Sequence, residues 1–410
     1  MSARDTPPRP GPVRSGLLRA LAPIQAFFRL EAASSLLLLL GAVIALVWAN
    51  SPWGPWHQAL FGHPFQLGGH EVNLLDVIDE GLMALFFFLV GLEIKRELAI
   101  GELRTASAAL LPLIAAVGGM VVPALIYFAF THGTEAARGW GIPMATDIAF
   151  SLGVLTALKG RVPNSLVAFL TALAIFDDLG GILVIAFFYG TGFHFGALGV
   201  SAVLILALAL LHRWKFAPVW LYLPLGVALW VFLGQAGIHA TLAGVAVGLL
   251  VPIHDRKGTP LLERWERALH PYVAYGVIPL FALANAGVSL AGLSVSDLVA
   301  PVSLGVALAL LVGKPLGIGL ATFGAVAARV SPLPRESSRS QVIGVAATGG
   351  IGFTVALFIA ELAFTQHPLE LEEAKLGILV GSAAAALVGF LLLKASSRPS
   401  PATFGPAGGE

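Results

Sequence analysis

The sequence predicts an all-α polytopic membrane protein. Twelve transmembrane helices are expected, in inverted-topology repeats, with spans four and eleven broken and crossed. Three observations carry this. Of 410 residues, 57% are hydrophobic and only 11% are charged, against roughly 25% charged in a soluble globular protein. The apolar residues gather into about a dozen runs of about the length that one helix needs to cross a bilayer. Two of those runs are loaded with helix breakers at a similar depth.

Composition also excludes function classes. The formal net charge is +1, and no basic patch is dense enough to follow a phosphate backbone, so no nucleic-acid partner is expected. There is no cysteine, hence no disulfide, thiolate metal site or thiol redox chemistry. Nothing in the sequence asks for a cofactor.

In chain order, residues 1–30 are a polar arm with five arginines. The apolar run Leu36–Val47 follows, and VWAN ends it with small residues, as a secretory signal would. The arm is long for such a signal and Glu31 interrupts it, so an uncleaved first span is the reading. Trp53 and Trp56 in the next loop suit a membrane interface. FQLGGHEVNL, from Gln66 to Asn73 in its polar part, carries two short extended runs about Gly68-Gly69, a hairpin signal. Span two, Leu75–Glu97, ends in Glu93, Lys95, Arg96 and Glu97. Span three is Ala106–Phe130, and span four, Ile142–Leu158, is short and irregular. Span five, Leu166–Phe188, is apolar except for two adjacent carboxylates, Asp177 and Asp178. Spans six to twelve are Gly196–Leu211, Pro218–Leu233, Ile238–Pro252, Pro271–Val288, Val299–Val326, Val342–Phe364 and Leu376–Leu393. One transporter domain, residues 31–396, is therefore expected between a polar arm and a disordered tail, 397–410.

Counting basic residues orients the chain. If both ends are cytoplasmic and every span crosses, all but three of the 24 Lys and Arg face inward. Arg138 and Lys375 face outward, and Lys314 falls inside span ten.

Lys314 joins a set at mid-depth. Span four carries Pro143, Thr146 and Asp147, and span eleven carries ATGGIGFTVA with Thr354. Broken backbone at that depth survives only when protein buries it or it lines a cavity. The break falls in the middle of spans three to five (106–188) and again in spans ten to twelve (299–393). Those triplets are an odd number of spans apart, so they insert oppositely, as inverted repeats do. Half-helix ends carry partial charges; Asp147 would compensate the positive ends, Lys314 the negative ends. Adjacent residues on a helix point about 100° apart, so one aspartate can pair with Lys314 while the other faces a cavity. An aspartate at mid-membrane costs about 2.5–3.5 kcal/mol, which a bound proton or cation relieves. Oxygen ligands from Asp178, Asp177 and Thr146 suit a hard ion such as Na+ or Li+. Proton and cation competing for one seat, exposed to each side in turn, is antiport.

These residues carry a resemblance. ATDIAFSLGVL, ALAIFDDLGGILVIA, GKPLGI and GGIGFTVALFIA, with MALFFFLVGLEIKREL and IHATLAG, resemble the NhaA-type sodium/proton antiporter family from the first span to the last. The resemblance implies a multi-pass protein of the bacterial inner membrane. It implies Asp178 as the main cation and proton site, Asp177 as the partner of Lys314, and Thr146 and Asp147 at the helix crossing. It further implies that Glu93, Arg96, Glu97, Glu266 and His270 form a cytoplasmic cluster tied to pH activation. Arg267 stands where a further histidine can occur, which predicts a shifted or flatter pH response. The hairpin matches a region implicated in homodimer contact.

Three other readings differ in what they require. A sodium-coupled symporter of an organic anion would need a second, larger substrate pocket near the crossing, and the sequence offers no basic residue at mid-depth beyond Lys314 to hold the anion. An intramembrane aspartyl protease shows Tyr-Asp and Gly-x-Gly-Asp, where this chain has Thr-Asp and Phe-Asp-Asp. A passive channel would conduct without exchanging protons.

Overall fold

Every predicted span contains helix, but several are assembled from pieces, and the breaks decide where the polar residues go. The computed structural model describes residues 33–396 apart from 68–69, 159–160, 191, 193 and 290–298. The predicted polar arm, the tail and the Gly68-Gly69 turn lie outside the described residues.

Helix α1 (Ala33–Ala49) turns by 115° into α2 (Gly54–Gly62). Strands β1 (Phe65–Leu67) and β2 (His70–Val72) then pair antiparallel, Phe65 opposite Val72, so the predicted hairpin is present. Asn73 and Asp76 form a reciprocal capping box. It starts a helical run that passes through a π-helical stretch, Val77–Leu82, into α3 (Met83–Ala99).

Next come α4 (Ala106–Thr131), a 3₁₀ helix Glu135–Met144, α5 (Ile148–Ala157) and α6 (Asn164–Phe188). They are followed by α7 (Phe195–Arg213), α8 (Val219–Gln235), α9 (Leu242–Leu250), α10 (Leu261–Tyr272) and α11 (Ile278–Asn285). Helix α12 (Pro301–Leu308) runs through a π turn, Ala309–Gly313, into α13 (Lys314–Ala327). Last are α14 (Arg339–Thr348), α15 (Phe353–Ala363) and α16 (Pro368–Ser396).

Among the described residues, five helical runs (α4, α6, α7, the continuous α12–α13 run and α16) are long and apolar enough to cross a membrane, and up to eight spans result if each bent pair is one. Their burial differs sharply. The apolar window of α6 is 72% buried, that of α7 only 11%. A helix that is apolar all round belongs either in protein or against lipid. Thus α6 is the central helix and α7 a peripheral one.

The main apolar core packs α4, α5, α6 and α12 to α16 against parts of α1 to α3, α9 and α11, with buried Leu173, Phe281, Phe358 and Ile378 among its members. A second cluster gathers α7 to α10 around Leu208, Tyr222, Leu229 and Leu262. Within the main core, α4 and α13 touch backbone to backbone. A Cβ on Gly118 would strike the Gly317 carbonyl, and the reverse holds for Gly317. Small residues that let backbones meet are how helices gain dispersion contact where no water drives them together. This contact lies one turn beyond Lys314 and sets that side chain's depth.

Candidate functional site: two helix breaks around a buried lysine

Two bent helix pairs meet beside α6. The 3₁₀ helix Glu135–Met144 and α5 bend by 43° about Ala145, Thr146 and Asp147, and α14 and α15 bend by 44° about Gly349–Gly352. Unwound backbone leaves amides and carbonyls without helical partners, which is costly away from water. Here the breaks serve each other. Asp147 N donates to Ile351 O at 2.6 Å, and Ser151 Oγ donates to Thr348 O at 2.9 Å.

One carboxylate caps two half-helices. Asp147 Oδ1 accepts from Phe150 N at 3.0 Å, in the first turn of α5. Its Oδ2 accepts from Thr354 N at 3.1 Å and Thr354 Oγ1 at 2.7 Å, in the first turn of α15. Both helix N-termini present partial positive charge, and one negative group answers both.

The opposite charge answers the other end. Lys314 Nζ donates to Met144 O, the last residue of the 3₁₀ helix, and to Asp177 Oδ2, each at 2.5 Å. Lys314 and Asp177 are both 0% exposed. Thr146 Oγ1 lies 2.6 Å from Asp177 Oδ2 and 2.9 Å from Gly349 O. A hydroxyl has one proton to donate. Thr146 therefore serves the Asp177 carboxylate or the Gly349 carbonyl, and serves the carbonyl freely only when Asp177 carries its own proton.

Asp178 points elsewhere, as the helical offset requires. It is buried, and it stands in the field of Asp177, Glu93 and Asp147 on the negative side and Lys314 on the positive. Asp178 Oδ1 and Asp177 Oδ1 are both buried with no hydrogen-bond donor. Carboxylate oxygens of two successive residues, each with acceptor capacity left over, fit a proton or a small hard cation.

The sequence model of the Na+/H+ antiporter 1 family matches residues 25–393. The chain belongs to that family. Its relatives in the family include the Na(+)/H(+) antiporter NhaA 1 of Myxococcus xanthus, 50% identical over 97% of this chain and 99% of the relative. The Na(+)/H(+) antiporter NhaA of Rhodospirillum rubrum is 48% identical over 93% of this chain and all of its own length. The Escherichia coli O139:H28 protein of that name is 46% identical over 91% and 98%. A solved sodium proton antiporter from Methanocaldococcus jannaschii aligns over 92% of this chain and 96% of its own, at 15% identity and TM-score 0.49. Family membership and the long apolar helices make the chain an integral membrane protein.

The charged cluster that the family resemblance implied stands at the end of α3. Arg96 pairs with Glu97 at 2.7 Å and with Glu266 of α10. Glu93 acts on Arg96, and His270 on Glu266. Burial pushes the Glu266 carboxyl above its ordinary value, while Arg96 and His270 draw it down. Arg267 stays outside this network, with an exposed side chain 3.7 Å from Glu263.

Some participants left little trace in the sequence. The Met144, Gly349 and Ile351 carbonyls carry no side-chain signal. Thr354 was visible as a polar residue beside the break, but its bond to Asp147 depends on where the two breaks meet. Two further polar contacts passed unnoticed: Lys375 with Glu361 at 2.7 Å, and Asn285 Nδ2 donating to Asp79 Oδ1 at 2.7 Å.

Proposed function

We propose that the protein is a secondary active antiporter that exchanges cytoplasmic Na+ or Li+ for external protons. The observation that carries this is the buried Lys314–Asp177 pair with Asp178 beside it, held where two broken helices meet, in a chain of the Na+/H+ antiporter 1 family. The proposed path has twelve spans with both ends cytoplasmic, in a bacterial inner membrane, and repeats over 106–188 and 299–393. Spans four and eleven cross at Thr146–Asp147 and Gly349–Gly352. The shared Asp147 cap and the matching bends of 43° and 44° support that arrangement.

With the seat open inward, Asp178 and the Asp177/Lys314 pair release protons, and Na+ binds at Asp178 with Asp177 and Thr146 within reach. Neutralising the carboxylates in this way removes the charge that makes a dry site costly, so the loaded seat can pass to the other side. Na+ leaves outward and protons return. Two protons per cation move net positive charge inward, and an inside-negative potential adds about 2.3 kcal/mol per 100 mV to sodium extrusion. Asp177 and Lys314 share the second proton as a coupled pair. The Thr146 hydroxyl supports coupling, because its proton can turn to Gly349 O when Asp177 is protonated. The cluster of Glu93, Arg96, Glu97, Glu266 and His270 sets the pH response, and the β1–β2 hairpin contributes to a homodimer.

The test is dequenching of a pH probe in everted membrane vesicles on adding NaCl, LiCl or KCl. Asp178→Asn should abolish the response, and Arg213→Ala should leave it. A normal response in Asp178→Asn would remove Asp178 from the proposal.

A further inference from the structure

The molecule contains a second lysine–carboxylate arrangement outside the seat just described. The Lys375 Nζ of α16 stands 2.7 Å from Glu361 Oε1 at the end of α15. Asp79, in the π-helical stretch before α3, feels the charges of both Glu361 and Lys375. Its carboxylate takes one hydrogen bond, from Asn285 Nδ2. Glu372 feels Lys375 and Glu361 as well, so with all four ionised three carboxylates face one ammonium and positive charge is lacking. Asn285 supplies an independent observation. It is 1% exposed, and its Oδ1 has no hydrogen-bond donor. It is also the last residue of α11, where helix carbonyls add negative potential. A buried amide oxygen without a donor, on a side chain that touches Asp79 within the field of Glu361, offers a hard monovalent cation an oxygen ligand.

The place of the cluster relative to the main seat follows from α15. Thr354, which holds Asp147, and Glu361 lie on one face of that helix, two turns or about 10 Å apart along its axis. Glu361 and Lys375 are partly open, with side chains 17% and 11% exposed. Asp79 is half-buried. An ion can therefore reach this cluster from outside the core.

We propose that Asp79, Asn285 and Glu361 form a second seat for the alkali cation on the outward side of Asp178, with the Lys375 ammonium standing in for the ion when none is bound. The proposal rests on the antiport reading. It assigns the cation a waiting position between the main seat and the external solution, and makes Lys375 a competitor for that position.

The experiment measures half-saturating Na+ from each face, in right-side-out and everted vesicles. Asp79→Asn should raise the value at the external face about tenfold more than at the cytoplasmic face, the effect of one lost charged ligand. Lys375→Met should move the ratio between faces the other way, because the ammonium no longer competes. A merely structural cluster would shift both faces together in both variants. That result, or parental ratios in both, overturns the proposal. A second readout needs no transport. The rise in melting temperature of purified Asp178→Asn protein on adding NaCl, with choline chloride as control, should persist, and should vanish in Asp178→Asn/Asp79→Asn. If antiport is the wrong reading, the parent gives no vesicle response while this shift remains. If the second seat is wrong, the parent antiports and Asp178→Asn shows no shift.

Discussion

Lys314 and Lys375 are the two buried lysines among the described residues, and their settings differ in a way that sorts the molecule. Lys314 is closed in. Its partner Asp177 is 0% exposed, and a backbone carbonyl from a broken helix takes a second bond. Lys375 keeps a path to solvent, as does its partner Glu361. A charge that water cannot reach depends wholly on its protein partners, and losing one is severe. A charge with a path to water is partly screened, so losing one partner costs less. A lysine and a carboxylate therefore make a sealed unit in the core and a pair with a path to solvent at the rim.

Substitutions can break or sharpen this contrast. The largest effect is expected for Lys314→Met, which leaves Asp177 buried without its ammonium. A loss of about 3–5 kcal/mol is expected, read as a lower melting temperature in detergent. A melting temperature equal to the parent's would make the two lysines equivalent. Asp147→Ala comes next, because one side chain caps both α5 and α15; each lost cap costs about 1 kcal/mol, so thermal unfolding should show roughly twice the effect of a single-cap removal such as Ser338→Ala. Lys375→Met should cost less than Lys314→Met, because its pair keeps a path to solvent, and added salt should narrow its difference from the parent, whereas the Lys314 effect should be insensitive to salt.

Glu266 gives the smallest effect and a distinct sign. Its folded carboxyl holds its proton to a higher pH than the unfolded chain does, because burial outweighs the pull of Arg96 and His270. The folded state thus loses relative stability as pH rises from the ordinary glutamate value through the raised one. Glu266→Gln carries no such dependence. The two proteins should melt alike in acid, and the variant should gain on the parent across that window. A constant difference at all pH values would remove Glu266 from the titrating set.

Particular residues show how far the sequence could be read. Asp177 and Asp178 stand out in any apolar run, since carboxylates there need partners. Lys314 stands out for the same reason. The breaks at Thr146–Asp147 and Gly349–Gly352 are written in Pro, Gly and Thr. The β1–β2 hairpin is signalled by two short extended runs about Gly68-Gly69. By contrast, nothing in the sequence marks Glu361, at the end of an apolar helix, or Asp79, one of several acids before α3, as members of one cluster.

Composition and spacing alone determined the apolar helices, the breaks within them and the polar residues stranded at mid-depth, because local backbone chemistry and the cost of burying charge act on neighbours in the chain. Only the tertiary structure decided that Asp147 caps two helices at once, that Lys314 reaches Met144 O as well as Asp177, and that Asn285, Asp79, Glu361 and Lys375 come together. Those contacts join residues separated by up to some three hundred positions. Their formation depends on backbone approach at Gly118 and Gly317 and on which helix faces meet, and no local pattern encodes either.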